Sequence, residues 1–177
     1  MQTETYNFLR EISKNFSEVG KVLQCLLGLA FYKALEKCNP YSISINLVEG
    51  VDINIECESF KYAVEVKITQ GDHISLKKKD FEGLKKFKEK GYLTLIGILR
   101  LDLHSEWIFV HPEKFAKRKY TWKINELYTE DFFKELGKKI NDLFESLILN
   151  YASQVKEKGL RGVLAILKKE NIRYFTE

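Results

Sequence analysis

In the stretch GVDINIECESFKYAVEVKIT, residues 50 to 69, Asp52 is followed after twelve residues by Glu65 and Lys67, set two apart. Two carboxylates and an ammonium stand in a segment that otherwise alternates like paired strands. Val51, Ile53, Ile55 and Cys57 read as one face of the first strand, with Asp52, Asn54, Glu56 and Glu58 on the other. Tyr62, Val64, Val66 and Ile68 alternate in the same way with Ala63, Glu65, Lys67 and Thr69. With a two-residue turn at Ser59-Phe60, the antiparallel register puts Asp52 opposite Lys67 and Asn54 opposite Glu65. Residues two apart on one face lie about 7 Å from each other, so Asp52, Glu65 and Lys67 converge on one small patch. Carboxylates that close repel, and a single lysine does not neutralise both. A divalent cation does, and hard oxygen ligands with room for water are what Mg²⁺ prefers. Such a cation can hold a phosphate oxygen and acidify a bound water. Lys67 can position that water or stabilise charge developing on the phosphate. With a longer turn, Glu56 or Glu58 can take the place of Asp52.

The elements that must position this patch follow from periodicity. Residues from about Tyr6 to Lys37 read as helix, broken near Asn15–Ser17, with Ser17 as N-cap and Val22, Leu26, Leu29, Ala30 and Ala34 at helical spacing. Asn39-Pro40 ends it. The segment YSISINLV is a β-branched strand, and Glu49-Gly50 turns the chain into the Asp52 strand. After the second strand, ISLKKKDFEGLKKFKEKG reads as an amphipathic helix ending at Gly91. The nearly continuous apolar run YLTLIGILRL predicts a strand covered on both faces. EWIFVHP is a further strand, and EKFAKRKYTWK a basic, aromatic loop. Thr129 is then the expected cap of a long helix whose apolar stripe is Phe132, Leu136, Ile140, Leu143, Leu147 and Tyr151. Gly159 closes that helix, and a short helix, RGVLAILKKE, follows. The order describes an α/β (α+β) fold, a central mixed sheet flanked by helices.

Composition bounds the rest. A chain of 177 residues with 45% hydrophobic content has enough apolar surface for one sizeable core. The longest apolar segment, VLQCLLGLAFYKAL, is interrupted by Gln24 and Lys33 and falls short of the roughly 20 residues a membrane span needs. The first residues lack a basic start followed by an apolar run, which points away from a secretory signal. Three scattered cysteines without a C-x-x-C pair fit reduced thiols and a cytoplasmic location. No histidine or cysteine spacing fits zinc. A net charge of +4 permits a polyanionic partner without requiring one.

Asp52, the twelve-residue interval and Glu-Val-Lys at 65 to 67, set in a helix–strand–strand–strand–helix–strand order, resemble the PD-(D/E)XK nuclease superfamily. Within it, the segments VEVK, ISLKKKDFEGLKKF, GYLTLIGILR and WIFV are most similar to archaeal Holliday junction resolvases. The resemblance spans roughly residues 10 to 112, and departs from the pattern in having Val51, not proline, before Asp52. It implies a restriction-endonuclease-like fold and Mg²⁺-dependent hydrolysis of DNA phosphodiesters, with Mn²⁺ able to substitute. It also implies Asp52 and Glu65 as metal ligands, the Val66 backbone carbonyl as a third, and Lys67 as the catalytic lysine. The family often adds a glutamate from the first helix; Glu18 is the candidate here and Glu11 its rival.

For a DNA substrate, the loop and helix start after the Glu-Val-Lys strand lie near the phosphate backbone, which singles out Lys77, Lys78 and Lys79. In AKRKYTWK, Lys117, Arg118 and Lys119 sit beside Tyr120 and Trp122, a combination suited to backbone contact and base stacking, or to a loop anchored by two aromatics. Residues 1–120 are expected to form the nuclease-like core, and 121–177 a helical extension that packs on the core or dimerises. A two-fold symmetric substrate favours a homodimer. Two other readings use the same residues: a non-catalytic nucleic-acid-binding protein that keeps the fold, and an enzyme acting on a small phosphate compound.

Overall fold

The computed structural model describes residues 2–15, 17–38, 42–48, 50–101, 106–115 and 121–176. Helices α1 (Thr3–Asn15) and α2 (Val19–Ala34) lead into β1 (Ser42–Asn46), β2 (Ile53–Glu56) and β3 (Lys61–Thr69). Then come β4 (His73–Ser75), α3 (Lys78–Glu89), β5 (Leu93–Arg100), β6 (Ile108–Val110), β7 (Thr121–Lys123), α4 (Lys134–Lys169) and β8 (Arg173–Phe175). Six strands form one mixed sheet in the order β6-β5-β3-β2-β1-β8, and β4 pairs with β7 in a small second sheet. β3 and β5 run parallel with α3 as their crossover, whereas β1–β2 and β2–β3 are antiparallel. The mixed sheet between helical layers is the expected fold class, and no helix among the described residues is long and apolar enough to cross a membrane.

Two cores flank the sheet. On one face, Leu23, Leu27 and Phe31 of α2 meet Ile45, Ile53, Val64 and Leu95 of the strands and Phe144, Leu147 and Leu167 of α4. On the other, Ala63, Ile96 and Ile98 meet Leu76, Leu84 and Phe115. The alternation along β5 therefore sends apolar residues to both cores, as its continuous apolar run predicts. α2 lies close on the sheet because residue 28 is glycine: a Cβ there would stand 2.5 Å from Ile45 Cδ1. The C-terminal segment joins the first core through α4 and extends the sheet through β8, which pairs parallel to β1.

Several local expectations are corrected. α2 begins after Glu18, which makes no side-chain cap bond, so Ser17 is not the N-cap. Thr129 does not cap α4: its hydroxyl accepts the Phe109 N–H, and the helix starts later, after a 3₁₀ turn at Asp131–Phe133. That shift rotates the apolar stripe, so Phe133 is buried while Phe132 is exposed, and Ile140, Phe144, Leu147 and Ile148 face the core. Val51 leaves the face of Ile53 and Ile55 and packs in the second core with α3. Residues 74–76, expected within a helix, instead carry β4 and its continuation, because Ile74 and Leu76 are buried there and the pairing with β7 satisfies the backbone. Gly159 interrupts α4 (φ 54°), as its position between two periodic segments suggests. The strand at Arg173–Phe175 was not anticipated; Asn171 at φ 57° turns the chain into it.

Candidate active site

The site opens where β2 stops and β3 continues. The β2–β3 pairing runs from Glu56↔Lys61 to Ile53↔Val64, while β3 extends to Thr69. Cys57 N–H donates to Phe60 O at 2.9 Å, so the turn is Glu58-Ser59 and not Ser59-Phe60. That one-residue shift moves the pairing by two and sets Asp52, at the end of β2, against Glu65 and not Lys67. Face parity survives the shift, so all three groups still share one side of the sheet. Beyond the last pair, the Asp52 carboxylate takes over from the backbone: Val66 N–H donates to its Oδ2 at 2.6 Å.

Asp52 itself is held from α2 and β1. Gln24, buried in the apolar helix, donates from Nε2 to Asn46 O (2.7 Å) and Asp52 O (3.2 Å). Asn46 donates from Nδ2 to Val51 O at 2.6 Å, and its backbone N–H to Asp52 O at 2.8 Å. The turn that carries Asp52 is thus clamped by two amide side chains.

Lys67 lies between two carboxylates, with Nζ 2.8 Å from Glu65 Oε1 and 2.8 Å from Asp80 Oδ2. Glu65 and Asp80 are 6% and 7% exposed. Asp80 is in the first turn of α3, where the same Oδ2 also accepts the Lys77 N–H at 2.8 Å. Sequence reasoning assigns Asp80 no role, because it stands as one acid among the lysines of α3. The readable signal was its place three residues after Lys77, where a carboxylate caps a helix start. Gln24 was visible only as a break in an apolar run.

The electrostatics follow from this crowding. Burial, reinforced by the charge of Glu65, pushes the Asp52 carboxyl up to about 7. Burial also raises Glu65, opposed by the Lys67 ammonium. Burial disfavours the charged forms of Asp80 and Lys67 too, but it is outweighed: Glu65 and then Asp80 raise Lys67, and Lys67 and the Lys77 N–H lower Asp80. With all three carboxyls ionised against one ammonium, two negative charges would stand at the floor of the cleft, which one divalent cation would balance. Among the described residues no group of three or more His, Cys, Asp or Glu is arranged to hold a metal. Two carboxylates, Asp52 and Glu65, with backbone oxygen and water, are donor types of the kind that suit Mg²⁺.

The cleft above these groups has a volume of about 700 Å³. Gly20, Lys21 and Gln24 of α2 line one side, and Lys77, Lys79, Asp80 and Lys86 the other. Lys77 and Lys79 are thus brought to the rim. Lys78 is not: its side chain is 85% exposed and pairs with Glu82 at 3.4 Å. Glu18 does not line the cleft; its carboxylate is half exposed and pairs with Lys21 at 3.1 Å. Glu11 pairs with Lys156 of α4. Glu56 pairs with Tyr92 and, at 3.4 Å, with Lys61. Lys117, Arg118, Lys119 and Tyr120 lie outside the described residues. Trp122 packs edge-on against Phe81 and Phe115, partly buried at the edge of the second core, which fits the reading of a loop anchored by its aromatics.

The model of the family described as archaeal Holliday junction resolvase matches residues 48–146 of this chain. Among solved structures, a Holliday junction resolvase from Archaeoglobus fulgidus is similar, at 16% identity, with a TM-score of 0.47, covering 64% of this chain and 97% of that one. No curated protein is detectably similar.

Proposed function

The chain belongs to the archaeal Holliday junction resolvase family and is a DNA endonuclease, and on that premise we propose that Asp52, Glu65 and Lys67 form its catalytic centre. Asp52 and Glu65, with the Val66 carbonyl, hold a divalent cation, Mg²⁺ in the cell and Mn²⁺ as a substitute. The observation that carries this reading is that the half-buried Asp52 carboxylate faces the buried Glu65 carboxylate, with the Val66 N–H and the Lys67 ammonium as the groups that ease their repulsion. When bound, the cation supplies Lewis acidity at the scissile phosphate. Lys67 offers an ammonium to the charge that develops on the phosphate oxygens, a contribution that counts most in the transition state. Gln24 and Asn46 fix the Asp52 backbone, so one ligand is positioned before the substrate arrives. Lys77 and Lys79, with Lys21 and Lys86 on the same rim, neutralise backbone phosphates.

A four-way junction is two-fold symmetric in its exchanging strands, and two symmetric cuts require two sites, so the working form is a homodimer. Three unpaired cysteines are consistent with action in the reducing cytoplasm. The deciding experiment is cleavage of four-way junction, flap, linear duplex and single-stranded DNA with Mg²⁺ or Mn²⁺, run beside a light-scattering measurement of mass. Preferred, metal-dependent cutting of the junction by a dimer is the expected result. Junction binding without cutting under either metal would make the chain a binding module that keeps the fold.

A further inference from the structure

Lys67 is the most mobile member of the catalytic set in principle, an ammonium on a flexible four-carbon stem. In the fold its ammonium is tied at two points that belong to different elements: Glu65 on its own strand and Asp80 at the start of α3. The first tie conflicts with the proposed chemistry. A Glu65 oxygen that serves a divalent cation is drawn to that cation, and the cation repels a neighbouring ammonium. The second tie comes from a different element, α3; the Asp80 carboxylate also contacts Glu65, but it is not one of the proposed cation ligands. Asp80 is also fixed in its own right: it is 7% exposed, and its Oδ2 accepts the Lys77 N–H. We propose that Asp80 is the positioning residue of the nuclease centre, retaining the Lys67 ammonium in the cleft when Glu65 is committed to the cation. This rests on the assignment of Lys67 to catalysis given above.

The arrangement has a second consequence. One carboxylate oxygen ties the catalytic lysine to the N–H of Lys77, the residue that opens α3 and lines the basic rim. The reacting groups and one lysine of the phosphate-binding edge are therefore kept in register by a single side chain. A purely electrostatic role would act with a different sign. A carboxylate in the cleft repels DNA, so its removal for charge alone would tighten binding and leave the chemical step untouched.

The test is Asp80→Asn, which keeps an oxygen to accept the Lys77 N–H and so preserves the helix start, with Asp80→Ser as a second variant that also retains an acceptor. Three quantities are read: the single-turnover cleavage rate of a four-way junction in Mg²⁺, junction affinity without metal, and solvent exchange of the Lys67 ammonium by ¹⁵N–¹H NMR with and without Mg²⁺. The NMR signal is assigned by its loss in Lys67→Ala. The expected result is a drop of up to about 100-fold in rate, the scale of a misplaced reacting group. Junction affinity should be unchanged or tighter, and ammonium exchange faster. Unchanged exchange in both variants would overturn the proposal, as would a rate loss matched by an affinity loss. A wild-type cleavage rate in Lys67→Ala would instead remove the premise, the catalytic assignment of Lys67, whatever the Asp80 variants do.

Discussion

Replacing Asp52 with asparagine should stabilise the metal-free protein while abolishing cleavage. The carboxyl is raised from 3.8 to about 7, first by burial and then by Glu65, so the folded state prefers it protonated. The sign follows from that. Between about pH 4 and pH 7 the unfolded chain has released this proton and the folded chain has not, so wild-type stability falls as pH rises through this window and levels off above it. A shift of about 3 units corresponds to a ceiling of about 4 kcal/mol. Asparagine can still accept the Val66 N–H, but its NH₂ must find an acceptor, which Glu65 opposite can supply; the gain is then about 1–3 kcal/mol. For a chain of this size that is a rise of roughly 3–10 °C in melting temperature. The assay is thermal or urea unfolding of wild type and Asp52→Asn in a chelator at pH 8 and near pH 4.5. The mutant's advantage should be large at pH 8 and small at pH 4.5. Added Mg²⁺ should then raise the wild-type midpoint by about 1.4 kcal/mol at ten times its dissociation constant, and leave the mutant unmoved. An advantage of equal size at both pH values would refute the electrostatic argument. An equal response of both proteins to Mg²⁺ would refute the ligand assignment.

Lys67→Ala should lower cleavage by about 100-fold or more, the range for removing one preorganised donor to developing charge, with junction affinity nearly kept; a proportional loss of both would make Lys67 a phosphate-binding residue. Lys77→Ala and Lys79→Ala should each flatten the log–log salt dependence of junction binding by about one unit, whereas Lys78→Ala should leave it unchanged, because that side chain does not line the cleft and its charge is paired with Glu82. Gln24→Leu fills the same space but strips hydrogen bonds from Asn46 O and Asp52 O, and should cost about 1–3 kcal/mol of stability together with Mn²⁺ affinity measured by calorimetry; intact metal affinity would show that the clamp does not position Asp52.

Alternation alone settles much of this site. Because side chains on a strand have period two, any hairpin register consistent with the apolar pattern keeps Asp52, Glu65 and Lys67 on one side of the sheet. The spacing from Asp52 to Glu-Val-Lys, the amphipathic α3 and the twice-covered β5 were legible for the same reason: local periodicity reports which way each residue faces. What periodicity does not report is which residue lies across from which. The turn at Glu58-Ser59 moves every β2–β3 pair by two, and only that step makes Asp52 and Glu65 neighbours, so that Glu65 adds to the burial that raises the Asp52 carboxyl. Asp80 shows the same limit. In one dimension it is an acid among the lysines of α3, and only the packing of α3 against β3 brings it 2.8 Å from Lys67. Gln24 and Trp122 likewise acquire their roles from segments far along the chain, β1 for one and α3 for the other. Glu18, in line with the buried Val22, Cys25 and Leu29, pairs with Lys21 because the chain enters α2 only at Val19. Direction along an element is a property of neighbouring residues and is written in the sequence. Proximity across elements depends on turn placement and layer packing, which no short window of residues contains, and that proximity produced the charged centre of this protein.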